Sequence, residues 1–222
     1  ASATNAYVTL TFSPYQESYV LYAADNRAWA YLNDQGGWQD VSEYVSLDEK
    51  VSGDTAVLRF IEFNGNAADE FVLALRQFQK DGKQDLLLDL RNDGGGDLRV
   101  LSAVAQYLMK DAPAENPVVL FARYKNKVQV NYTAKQNLYA QYLDGKKVYV
   151  AANRNTASAS EALMGAMIDY GTVDYGDIFL TDTEGKGFAR TYGKGIMQTS
   201  YANSRTGEAV KLTAAQIFWP KG

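Results

Sequence analysis

The chain has 222 residues, 46% of them hydrophobic, enough to bury one full-sized core with or without an appendage. Its net charge of −4, pI near 5.0 and scattered Lys and Arg leave no electrostatic footprint for nucleic acid or a membrane surface, so neither partner is expected. Cysteine and histidine are both absent, which excludes disulfides, thiolate metal sites and the usual zinc and non-haem iron centres; any metal would need carboxylates alone. No apolar run approaches the roughly 18 residues of a membrane span, and "ASATNAYVTL" at the start has no basic-then-apolar export pattern. In chain order, "AYVTLTFSP" and "ESYVLYAA" alternate like two strands joined by a turn, and "NDQGGWQD" reads as a loop. Residues 1–54 therefore read as a small β-rich segment. From Thr55 the pattern changes to strand then helix: "TAVLRFIEF" is β-like, and "NAADEFVLALRQFQKDG" places Phe71, Val72, Leu75 and Phe78 at helical spacing before Gly82.

"DLLLDL" (residues 85–90) is a short apolar run of the kind buried on both faces of a parallel sheet. A glycine cluster follows, and "DLRVLSAVAQYLMK" resumes a helical period with Asp97 as its N-cap. "NPVVLFARYKNKVQVNY" reads as two strands around a turn at Lys125 and Asn126, and "KKVYVAAN" as a buried strand leading into a helix that ends near Tyr170. "DIFLT", "FARTYG", "GIMQTSY" and "AVKLTAAQIF" are candidate strands beyond it. The fold class implied is an α/β core with parallel strands, occupying residues 55–222, with the β-rich appendage in front.

Three stretches could carry chemistry. In "TASASEALMGAM" (156–167), Ser158 and Glu161 stand at the S-x-x-E spacing of a capping box, which satisfies a helix start without any catalysis. The same position also suits a nucleophile, because free N–H groups and the positive end of a helix stabilise an oxyanion there. A serine needs a base to take its proton, and with histidine excluded a desolvated neutral lysine is the best of the remaining candidates. Lys194 lies between two glycines in "TYGKGIMQ", where it is either that base or an idle lysine at a tight turn. Lys186 in "TEGKGFA" has a similar frame with an acidic neighbour. In "LLLDLRNDGGGDLRVL", three consecutive glycines permit close backbone approach to a ligand. A phosphate loop fits poorly, since Asp93 and Asp97 would repel the anion and no lysine-bearing motif is present; a plain sharp turn fits as well. Asp89 and Arg91 read as a structural charge pair.

Taken in order, "LLLDLRNDGGG", "TASASEALMGAM" and "TYGKGIMQ" closely resemble the signature blocks of the C-terminal processing peptidases, or tail-specific proteases, of family S41. The resemblance runs from about Thr55 to Gly222. It implies a crotonase-like or ClpP-like α/β core and a serine-lysine endopeptidase acting on peptide or protein substrates without a cofactor. By the same resemblance Ser158 is the nucleophile, Lys194 the general base, and Gln198 the residue that helps hold the lysine. The backbone amides of Ala159 and of a glycine in the triplet, Gly95 with Gly94 beside it, would form the oxyanion hole, with Glu161 and Thr191 in support. The interval of 36 positions from Ser158 to Lys194 exceeds the family's usual connection, so "TVDYGDIFLTDTEGKGFAR" reads as an insertion and Lys186 as the alternative base. No PDZ domain is recognisable, and "VTLTFSP" resembles the strand that leaves one, so residues 1–54 read as the segment following such a domain. Family habit places the protein outside the cytoplasm, in a bacterial envelope or beyond it. A catalytically silent peptide-binding or scaffold protein on the same core is the competing reading.

Overall fold

The structure is a computed structural model that describes residues 6–12, 17–23, 30–32, 38–40, 44–48, 54–181 and 189–222, with side chains at 44, 45, 54–181 and 189–222. In the N-terminal segment β1 (Ala6–Phe12) pairs antiparallel with β2 (Glu17–Ala23), as the alternation predicts. The expected loop "NDQGGWQD" is partly a strand: β4 (Trp38–Asp40) pairs antiparallel with β3 (Ala30–Leu32), while residues 33–37 lie outside the described set.

The core sheet has the order β11-β10-β7-β6-β5, built from β5 (Val45–Asp48), β6 (Thr55–Phe60), β7 (Asp85–Asp89), β10 (Lys147–Asn153) and β11 (Ile178–Thr181). Only β5 is antiparallel to its neighbour; the other four strands run parallel. Between them come the helices α1 (Ala67–Lys80), α2 (Leu98–Ala105), α3 (Tyr139–Leu143) and α4 (Ala159–Asp169). A second, antiparallel sheet of order β12-β13-β8-β9 is made of β8 (Val118–Tyr124), β9 (Gln129–Thr133), β12 (Ile196–Ala202) and β13 (Ala209–Phe218).

Helix α1 forms where the spacing predicts, burying Ala67, Phe71, Ala74, Leu75 and Phe78 on one stripe. Val72 falls just off that stripe and stays partly exposed. Phe71 meets Phe60 of β6 with ring centroids 6.1 Å apart, and Phe60 stacks on Phe63 at 4.3 Å. Each wholly buried leucine or phenylalanine of this kind contributes roughly 1.5–3 kcal/mol. The "DLLLDL" run departs from expectation on one point: Leu86 and Leu88 are wholly buried, but Leu87 on the opposite face is partly exposed, so β7 has one sealed face. Asp97 caps α2 as predicted, accepting the Arg99 N–H. Helix α4 is apolar nearly all round, with Ala159, Ser160, Ala162, Leu163, Met164, Gly165, Ala166 and Met167 buried, because α2 and β8 both pack against it. Short α3 was not legible in the sequence. "FARTYG" is not a strand over its described residues 189–193, whose local backbone bonds are described below.

Candidate active site

The carboxyl ends of adjacent parallel strands are where α/β sheets place their ligands, and both glycine and serine blocks start there. The glycine block leaves the end of β7 and the serine block leaves the end of β10, its direct neighbour. A polar seam joins the two loops. Asn153 Oδ1 accepts the Asn92 and Asn155 N–H groups, both at 3.0 Å, and Asn92 Oδ1 accepts both the Asn153 and Asn155 amides. Thr156 Oγ1 donates to the Leu90 carbonyl at 2.8 Å, and the Ala157 N–H donates to the Asp93 carbonyl at 2.9 Å. Arg91 clasps Asp89 with two side-chain bonds of 2.8 and 2.7 Å, the structural pair expected. Burial would raise the Asp89 carboxyl, but the Arg91 hydrogen bonds outweigh it and hold it below the usual range.

Ser158 sits at the N-cap of α4 with φ 60° and ψ −114°. For a residue with a side chain that conformation costs about 1–3 kcal/mol, and it persists only where the surroundings impose it. They do so here: a Cβ on Gly95 would lie 2.7 Å from the Ala157 carbonyl, 2.7 Å from the Ala159 nitrogen and 2.8 Å from the Ser158 Cβ. The glycine triplet is therefore pressed directly against the serine turn. It is held from behind by the Phe63 N–H to the Gly95 carbonyl, 2.9 Å, and by the Asp97 N–H to the Phe63 carbonyl, 2.7 Å.

The S-x-x-E spacing is a capping box, with the Ser158 N–H donating to Glu161 Oε2 at 2.9 Å. The same carboxylate reaches the lysine loop. Glu161 Oε2 also accepts the Lys194 N–H at 2.8 Å, while Oε1 accepts the Gly193 N–H and the Thr191 hydroxyl, both at 2.7 Å. The Tyr192 N–H adds a bond to the Thr156 carbonyl at 2.9 Å. These bonds take the amides that a strand over 189–193 would have used, which is why "FARTYG" runs irregularly. Ser158, Glu161, Thr191 and Lys194 thus come together, and all four line one open cavity of about 490 Å³. Its far wall is apolar, including Met164, Ile168, Ile178, Leu180, Ile217 and Trp219.

The remaining candidates divide. The Ala159 N–H has no acceptor among the described residues and is available at the helix start. The Gly95 N–H is occupied by Asp93 Oδ1 at 2.8 Å, and Gly94 is exposed. Gln198 is exposed on β12 just past a register shift between Met197 and Gln198, and no hydrogen bond joins it to Lys194 among the described residues. Lys186 lies outside the described residues. Part of the expected insertion belongs to the sheet, since its "IFLT" is the parallel edge strand β11. Sequence reasoning missed Asn153, Thr156 and Trp219, and read Asp93 only as a repeller of phosphate. The polar pair near a strand end was a signal for the first two; nothing local marks Trp219.

Residues 54–222 match the sequence profile of Peptidase family S41. A "Probable CtpA-like serine protease" of Staphylococcus epidermidis is 30% identical over 185 residues, covering 83% of this chain and 34% of the relative. A "Carboxyl-terminal-processing protease" of Picosynechococcus is 30% identical over 177 residues, covering 80% of this chain and 38% of the relative. The chain thus spans little more than a third of the length of these curated relatives. The solved structure of a photosystem II D1 C-terminal processing protease superposes with a TM-score of 0.62 at 25% identity, covering 99% of this chain and 52% of that one. With a profile match over most of its length and the S41 protease fold, the chain belongs to peptidase family S41.

Proposed function

We propose that the chain is the catalytic core of a serine endopeptidase that cleaves peptide bonds through a Ser158–Lys194 dyad and an acyl-enzyme. The observation that carries this reading is the Glu161 carboxylate, which ties the Ser158 backbone to the Lys194 backbone across one cavity. In acylation Ser158 Oγ attacks the scissile carbonyl carbon while the Lys194 amine takes the hydroxyl proton. The carbonyl oxygen becomes an oxyanion facing the Ala159 N–H, with Gly95 as the second donor once its N–H is released. Collapse expels the amine, which receives the proton from Lys194, and water repeats the sequence on the ester. Gln198 is proposed as a support for Lys194 only in a rearranged site. The apolar wall at Ile217 and Trp219 suits an uncharged substrate side chain. The names of the relatives favour substrates cut near a carboxyl terminus, and the resemblance favours action outside the cytoplasm.

Ser158→Ala and Lys194→Ala should each lower turnover of a fluorogenic peptide by roughly 10⁴-fold or more while leaving far-UV circular dichroism unchanged. A serine-directed phosphonate should label Ser158 alone. Activity retained in either purified variant refutes the dyad, and activity lost instead in Lys186→Ala transfers the base to that residue.

A further inference from the structure

Asp93 stands behind the glycine triplet and touches both halves of the site. Its side chain is wholly buried. Oδ1 accepts the Gly95 N–H at 2.8 Å, whereas Oδ2 is buried with no hydrogen-bond partner. Its main-chain carbonyl accepts the Ala157 N–H at 2.9 Å and the Ser160 hydroxyl at 3.2 Å, from residues on either side of Ser158. Among the described residues it is the one carboxyl left with an orphaned buried oxygen.

A neutral amide could accept the Gly95 N–H without burying a charge, so a carboxyl here calls for an explanation beyond loop shape. Burial pushes the Asp93 carboxyl up to about 7, against the pull of the Gly95 N–H. The groups facing it are few. Ser160 on α4 is uncharged, Glu62 from the connection after β6 adds to the rise, and no cation opposes it among the described residues. On its own loop, Asp89 and Asp97 are engaged by Arg91 and Arg99.

We propose, resting on the reading of Ser158 as nucleophile, that Asp93 is a positioning residue whose ionised carboxylate retains the Gly95 N–H and whose protonated form releases it to the oxyanion at Ser158. A carboxylate binds an N–H more strongly than a neutral acid does, and its charge close to a developing oxyanion opposes that oxyanion. The proton remains on Asp93 throughout; no bond to substrate forms. Oxyanion stabilisation therefore weakens as Asp93 ionises, and kcat/KM acquires a falling limb on the alkaline side of neutrality. Asp93→Asn keeps an uncharged acceptor and loses that limb.

The test has two arms on the full chain. In the first, kcat/KM for a fluorogenic peptide is compared between wild type and Asp93→Asn from about pH 5.5 to 9. At one pH unit above the midpoint the Asn variant should lead by about tenfold, relative to the ratio at pH 5.5. In the second, the Gly95 amide is followed by NMR in Ser158→Ala protein; it should titrate near neutral pH, and should not in Ser158→Ala with Asp93→Asn. Parallel pH profiles in the first arm, or a Gly95 amide that does not titrate in the second, overturn the assignment. If Asp93→Asn fails to fold, the amide titration in Ser158→Ala protein decides alone. Wild-type protein that is inactive at every pH while the amide still titrates sinks the nucleophile reading; active protein with a silent amide sinks only the role of Asp93.

Discussion

Replacing Glu161 by glutamine removes one charge and one acceptor while keeping the side chain's shape. The carboxylate receives four donors, from Ser158, Thr191, Gly193 and Lys194, at 2.7 to 2.9 Å. An amide has one oxygen, so two donors keep an acceptor and the other two meet an N–H group. A buried donor left without an acceptor costs about 1–3 kcal/mol, and because this site is half-open to water the lower value applies, giving about 2 kcal/mol for the pair. If that loss is felt in global unfolding, Tm should fall by about 4–8 °C for a chain of this size. The kinetic effect should be larger than the stability effect suggests. Loosening the tether between Ser158 and Lys194 by about 1 Å should lower kcat by about 100-fold, with KM little changed because the apolar wall is untouched. Steady-state kinetics on a fluorogenic peptide, with thermal melts followed by circular dichroism, measure both. A Glu161→Gln protein with kcat within twofold of wild type would show that this carboxylate caps a helix and nothing more.

Asp93 makes a prediction about stability that is independent of catalysis. Its folded pKa is raised from 3.8 to about 7, so the acid form favours the fold. That contribution is complete below the unfolded value and is lost as pH rises through the folded one, by at most about 4 kcal/mol. Between pH 4 and pH 8 the urea midpoint of Asp93→Asn should therefore rise relative to wild type; a constant difference contradicts the burial argument. Gly95→Ala should abolish turnover and destabilise by about 1–3 kcal/mol, because its Cβ would meet backbone at 2.7 Å on two sides; an active, stable variant means the loops are not packed this closely. Gly165→Ala should displace the Trp219 ring, which would lie 2.3 Å from the new Cβ, and change tryptophan emission and the size of side chain accepted in the cavity. Unaltered emission and unaltered substrate preference would contradict that contact.

Legibility differed between periodic and inward-folded residues. The stripe of Phe71, Leu75 and Phe78 announced α1 because a period of 3.6 needs only local sequence. The strands of the second sheet were legible singly, but their pairing was not: β13 lies against β8, with Ile217 opposite Ala122, across most of a hundred residues. Ser158 and Glu161 offered a structural reading and a chemical one as rivals, and the geometry makes them compatible, since the carboxylate that caps α4 also holds the Lys194 loop. Asp93 was misjudged for a physical reason. A loop aspartate is ordinarily solvated, whereas this one is wholly buried with Oδ1 on the Gly95 N–H.

The seat of Trp219 on Gly165 gives the chain a temporal order. Synthesis proceeds from the N-terminus, so Ser158 leaves the ribosome well before Lys194, and the indole that walls the cavity emerges later still. On the proposed dyad, an unfinished polypeptide carries the Ser158 hydroxyl before Lys194 and the Trp219 wall of the cavity have been made.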